Sequence, residues 1–111
     1  MNIEHKGMPG HFIGASKCCF HLHTVIDGRW SVSTVGCYHP GDRRDEEARP
    51  VGHCRYYETM VFDMDADGGA ASRWNELDME GYNSEADAEE GHRLMVERWA
   101  ELGRRQRAEV K

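Results

Sequence analysis

The residues able to do chemistry cluster in two stretches: Cys18, Cys19, His21, His23, Cys37 and His39 in the first, and His53 and Cys54 in the second. Thiolates and imidazoles are the soft and borderline donors that hold zinc in tetrahedral sites. Strand-like runs begin at Cys18 and again beside His53 and Cys54, and one ends at Cys37 and His39. In an antiparallel meander all of these residues collect at one end of the sheet, and Cys19, Cys37, His39 and Cys54 are the candidate metal ligands. A zinc ion there would close the charged loop over 40 to 52. The spacing lacks the paired Cys-x2-4-Cys knuckles of common structural zinc sites, and a buried cysteine also serves as a small hydrophobe. His21 and His23 share one strand face, where solvent-facing histidines are the ordinary alternative to a chelating pair. Cys18 or Cys19 beside a histidine would suggest a thiol nucleophile, but no orienting third group is visible and no enzyme signature is present.

The element that positions most of these groups is a hairpin. Residues 18 to 26 and 30 to 38 both alternate apolar and polar side chains around Asp27-Gly28, a strong hairpin signal. A three-residue loop Ile26-Asp27-Gly28 would set Leu22 opposite Val32, Phe20 opposite Thr34 and Thr24 opposite Trp30. It gathers the apolar set on one face, which a one-residue slip would scatter. Cys19, His21, His23, Ser31, Ser33, Val35 and Cys37 then share the second face.

Before the hairpin, residues 7 to 17 read as a fixed loop that tucks Phe12 and Ile13 against the core. A third strand is expected over Arg55 to Met64, with Tyr57, Thr59 and Val61 on one face and Tyr56, Met60, Phe62 and Met64 on the other. A short fourth strand is expected over Ala71 to Trp74. The Asp63-x-Asp65-x-Asp67-Gly68 spacing opens like a calcium loop, yet Trp74 stands where the closing glutamate belongs, so it reads as an acidic turn. Ser84 starts a helix whose buried stripe is Ala88, Gly91, His92, Met95, Trp99 and Leu102, with Gly103 as the stop. Gly91 implies close approach of the helix backbone to the sheet, and His92 on the apolar stripe reads as a satisfied core residue. The fold class is therefore α+β: a small single domain over 1 to 111, an antiparallel sheet of three or four strands with a C-terminal helix packed on one face. Residues 1 to 6 and 104 to 111 are expected as flexible tails.

Composition narrows the function classes. The chain has 111 residues, 39% of them hydrophobic and 31% charged, which suits one modest core. Twenty acidic residues against fourteen Lys and Arg give a net charge of -6, which disfavours nonspecific nucleic-acid binding. No membrane-spanning run and no signal-peptide core are visible, so a cytoplasmic location and reduced thiols are expected.

Four blocks carry a resemblance: Gly7-Met8-Pro9-Gly10-His11-Phe12-Ile13-Gly14-Ala15, Ser33-Thr34-Val35-Gly36-Cys37-Tyr38, Tyr57-Glu58-Thr59-Met60-Val61-Phe62, and Trp74-Asn75-Glu76-Leu77-Asp78 through Gly81-Tyr82-Asn83. Over roughly residues 7 to 100 the chain resembles a group of small bacteriophage and prophage proteins without assigned chemistry. In that group the position of Cys37 is often acidic, so a zinc site would be particular to this chain. The resemblance implies an accessory protein in the bacterial host cell, most simply a non-enzymatic binder of a host protein such as a defence factor. Tyr38, Tyr56 and Tyr57 are then the candidate protein-binding anchors. The alternative is a zinc- or small-molecule-binding domain using the Cys/His-rich end of the sheet. A third reading is an enzyme built on His21, His23 and Cys19, and a fourth a self-assembling virion component.

Overall fold

Alternating β-branched and aromatic residues in the middle of the chain, followed by a capped amphipathic run, resolve into a meander and a helix. The structure is a computed structural model that describes residues 3–6, 18–39, 48–51, 55–63 and 76–110. The elements are β1 (Ile3–Lys6), β2 (Cys18–Ile26), β3 (Trp30–Tyr38), β4 (Tyr57–Asp63), β5 (Glu76–Tyr82) and α1 (Glu85–Val110). The strands form one sheet in the order β1-β2-β3-β4-β5, every neighbouring pair antiparallel.

The expected sheet of three or four strands has five. Ile3–Lys6, expected as a tail, pairs with β2 at its edge, with Ile3 opposite Ile26 and His5 opposite Thr24. Four residues with one apolar side chain carry little periodicity, so only the pairing edge reveals this strand. β5 runs from Glu76 to Tyr82, and Asp78, Glu80 and Tyr82 fall on the helix side opposite Val61, Thr59 and Tyr57. Carboxylates facing a helix hide the usual apolar alternation. At this edge Asp78 meets Arg98 and the indole N–H of Trp99 on α1.

The hairpin keeps its faces but shifts its pairing by two residues. Ile26 pairs with Trp30, Thr24 with Val32, Leu22 with Thr34 and Phe20 with Gly36. Asp27 and Gly28 both have positive φ, 57° and 62°, the signature of a type I′ turn, and the Arg29 amide closes it on the Ile26 carbonyl at 2.9 Å. Arg29 is the extra residue, so it and Trp30 together oppose Ile26. Because the shift is even, each side chain stays on its expected face.

Helix α1 lies across the face shared by Thr24, Ile26, Trp30, Val32, Thr34, Thr59 and Val61. Ser84 caps it, its Oγ accepting the Asp87 amide at 3.1 Å. Ile26, Trp30, Val32 and Val61 pack with Met95, Val96 and Ala100, and Trp99 meets Trp30 edge-on at 5.0 Å. The buried stripe runs through Val96 and Ala100, whereas Leu102 is exposed. The helix also continues through a buried Gly103 to Val110 rather than stopping there. Gly91 does mark a close approach: a Cβ at that position would overlap the Tyr82 ring.

Candidate metal centre

The far end of the hairpin, opposite the Asp27-Gly28 turn, is where the metal-capable side chains meet. The ladder pairs Cys18 with Tyr38 and Phe20 with Gly36, which places Cys19 and Cys37 opposite one another between these pairs. Cys37 adopts a left-handed φ of 55°, an uncommon conformation for a residue other than glycine. Such conformations cost free energy and persist where the surroundings impose them. Cys37 and His39, two residues apart, lie close together at this strand end.

Cys19, Cys37 and His39 bring one donor atom each within 4.8 Å of the others. The Cys37 Sγ to His39 Nε2 distance is 3.4 Å. A tetrahedral zinc with ordinary Zn–S and Zn–N bonds has an S···N edge of about 3.5 Å, so this edge is already at ligating length. His39 is 6% exposed, and its Nδ1 is buried with no hydrogen-bond partner among the described residues. Its ring is thus held in the protein with its Nε2 beside the Cys37 thiol. Cys19 is exposed and Cys37 half-buried, so the cluster opens to solvent on one side. The Tyr57 phenol lies near by: burial, then the charges of Cys37, Glu85 and Cys19, raise its pKa above the ordinary value.

Three of the four expected ligands therefore converge. Cys54 and His53 lie outside the described residues, as do Phe12 and Ile13, the stretch Ala71 to Trp74 and the aspartates at 65 and 67. Cys18 takes the other role open to a cysteine: it is buried with Val35 and Val51, and Tyr38 packs against the three. His21 and His23 stay outside the cluster, and His23 Nε2 is 2.6 Å from Ser31 Oγ.

The three tyrosines do not form one exposed patch. Tyr56 is exposed, Tyr38 covers the Cys18 cluster, and Tyr57 meets Phe20 edge-on at 5.3 Å. Tyr57 pairs with Gly36, so Tyr56 falls at the same sheet end as Cys37.

Under the helix lies a polar chain of which only His92 stood out from the sequence. Thr24, Thr34 and Thr59 are fully buried on the helix face. His92 joins them, with Nε2 2.8 Å from Thr24 Oγ1 and Nδ1 2.7 Å from Thr34 Oγ1. Thr34 and Thr59 share a hydrogen bond of 2.5 Å, and His5 Nδ1 reaches Thr24 Oγ1 at 2.8 Å. His92 is thus a satisfied core residue, as expected. The signal for the rest was the recurrence of Thr at same-face positions of three neighbouring strands beneath one histidine. Burial, then the charges of His5 and His23, lower the His92 pKa from 6.5 to about 4. At neutral pH the His92 ring is uncharged, and its nitrogens and the threonine hydroxyls satisfy one another.

Comparison with protein-family models, with curated proteins and with solved structures finds no match to this chain. Among the described residues no helix is long and apolar enough to cross a membrane.

Proposed function

We propose that this chain is a non-enzymatic binding domain that holds one soft divalent cation, zinc by preference, through Cys19, Cys37 and His39. The observation that carries this reading is the convergence of two thiols and an imidazole within 4.8 Å, around a histidine buried without another partner among the described residues. Thiolate and imidazole donors favour zinc over the hard cations, which take oxygen ligands. Three protein ligands leave a fourth position for Cys54, a water or a group from a partner. The cation would pin β2 to the kinked end of β3, and its binding energy would offset the strain at Cys37.

The exposed Tyr56 at the same sheet end favours a second reading, in which the metal-braced end engages a protein. An accessory protein of phage type acting on a host factor fits that use, and neither reading requires catalysis.

Native mass spectrometry of protein purified under reducing conditions tests the metal. One zinc per chain is expected, removable by chelator, absent from Cys37→Ser and retained by Cys18→Ser. A bare polypeptide mass, or zinc retained equally by all variants, overturns the site. For the second reading, a host protein captured by the zinc-loaded chain should be lost with both Tyr56→Ala and Cys37→Ser. Capture that is indifferent to both places the contact elsewhere.

A further inference from the structure

We propose that Cys19 and Cys37 are also a redox pair, closing to a cross-strand disulfide that excludes metal from the same site. Register carries the argument first. Cys19 and Cys37 sit opposite one another between the pairs Cys18↔Tyr38 and Phe20↔Gly36. Directly opposed residues of an antiparallel pair hold their Cβ atoms about 4.5 to 5.5 Å apart, and a disulfide requires about 3.5 to 4.5 Å. Both Sγ atoms already lie within the 4.8 Å cluster, so bond formation asks for side-chain rotation with a small local approach of the two strand ends.

Accessibility carries it further. Cys19 is exposed and can meet a dissolved oxidant, whereas Cys18, its sequence neighbour, is buried with Val35 and Val51. The left-handed backbone at Cys37 leaves the strand end bent, where local adjustment is easiest. One cysteine is therefore placed to react first, the second lies opposite to resolve the mixed disulfide, and the third is sequestered.

The chemistry balances with a small-molecule disulfide such as oxidised glutathione. The Cys19 thiol loses its proton to solvent, and its sulfur attacks the glutathione disulfide, forming a mixed disulfide and releasing one glutathione thiolate. Cys37, its proton likewise lost to solvent, attacks the Cys19 sulfur, forming the protein disulfide and releasing the second glutathione thiolate. Two protein thiols are oxidised and one glutathione disulfide is reduced. The bond removes two of the three donors, leaving His39 alone. This competition with metal rests on the zinc reading above, whereas the disulfide itself does not.

The test incubates the full chain, stripped of metal by chelator, with oxidised glutathione and follows intact mass and peptide mapping. A loss of two hydrogens with a Cys19–Cys37 linkage is expected in the wild type and in Cys18→Ser, and not in Cys19→Ser or Cys37→Ser. Zinc added beforehand should slow the loss at least several-fold. A glutathione adduct on Cys19 that never resolves, or a linkage through Cys18 or Cys54, overturns the pair. If the disulfide forms but zinc neither binds nor protects, the metal reading and the competition fail while the redox pair stands. If zinc binds and no disulfide forms, the redox pair fails alone.

Discussion

Acidification should destabilise this fold through one residue, His92, and the size of the effect can be worked out. The unfolded chain takes up a proton on this imidazole near pH 6.5, whereas the folded chain holds it neutral down to about 4. The folded pKa is the lower one, so between these values the unfolded state binds more protons and stability falls as pH falls. Above pH 6.5 the full stability is present, and below about 4 both states are protonated and the loss is complete. At about 1.4 kcal/mol per pH unit, the interval from 6.5 to about 4 corresponds to about 3 kcal/mol, a large part of the stability of a small domain. The groups facing the ring act in the same direction: positive charge on His5 from β1 and on His23 from β2 adds repulsion to the burial cost. Glu89, Arg93 and Glu97 of α1 border the cavity of about 280 Å³ that His5 and His92 share with Ile3 and Val96. Arg93 is engaged there by Glu90 and Glu97. The assay is urea unfolding of wild type and His92→Gln at intervals from pH 7.5 to 3.5. Glutamine keeps hydrogen-bonding capacity between Thr24 and Thr34 but cannot titrate, so the wild-type curve should drop by about 3 kcal/mol more than the variant across the window. Parallel curves would refute the reasoning. A His92 ring resonance titrating near 6.5 in the folded wild type would do so independently of the variant's stability.

Two further predictions concern the edges of the core. Asp78 Oδ2 accepts Trp99 Nε1 at 3.0 Å and Arg98 Nη1 at 2.8 Å, and its Oδ1 accepts the Met79 amide at 2.9 Å. Burial alone would raise the Asp78 pKa, but these bonds bring it below the usual carboxylate range, so its contribution is present at neutral pH and fades as acid protonates it. Asp78→Ala should cost about 1 to 2 kcal/mol in chemical denaturation and red-shift Trp emission, and unchanged stability would show that the bonds are offset by solvation. Gly36→Ala would drive its Cβ into the Tyr57 ring, which Phe20 holds edge-on, so a loss of about 1 to 3 kcal/mol is expected. Adding Tyr57→Ala should recover part of it, and additive losses would place the strain elsewhere.

Local signals made some features legible. Asp27-Gly28 between alternating runs specified a hairpin, and parity specified which residues share a face even though the pairing lies two residues away. Ser84 and the recurrence of Ala88, His92 and Met95 specified the helix. The convergence of Cys19, Cys37 and His39 followed from strand direction alone, because an antiparallel hairpin must return its far ends to one place. Edge strands were less legible: β1 is too short to show a period, and β5 presents carboxylates where a strand usually presents apolar groups.

What the sequence by itself determined is therefore the class of the hairpin, of β4 and of the helix, and the sheet end at which Cys19, Cys37 and His39 gather, since both depend on periodicity and chain direction. Only the tertiary structure decided the distances. Cys37, with its left-handed backbone, came to lie 3.4 Å from His39, and the packing of α1 placed His92 between Thr24 and Thr34. Such contacts join residues up to 68 positions apart, and their geometry depends on how whole elements settle against one another, which no local pattern encodes.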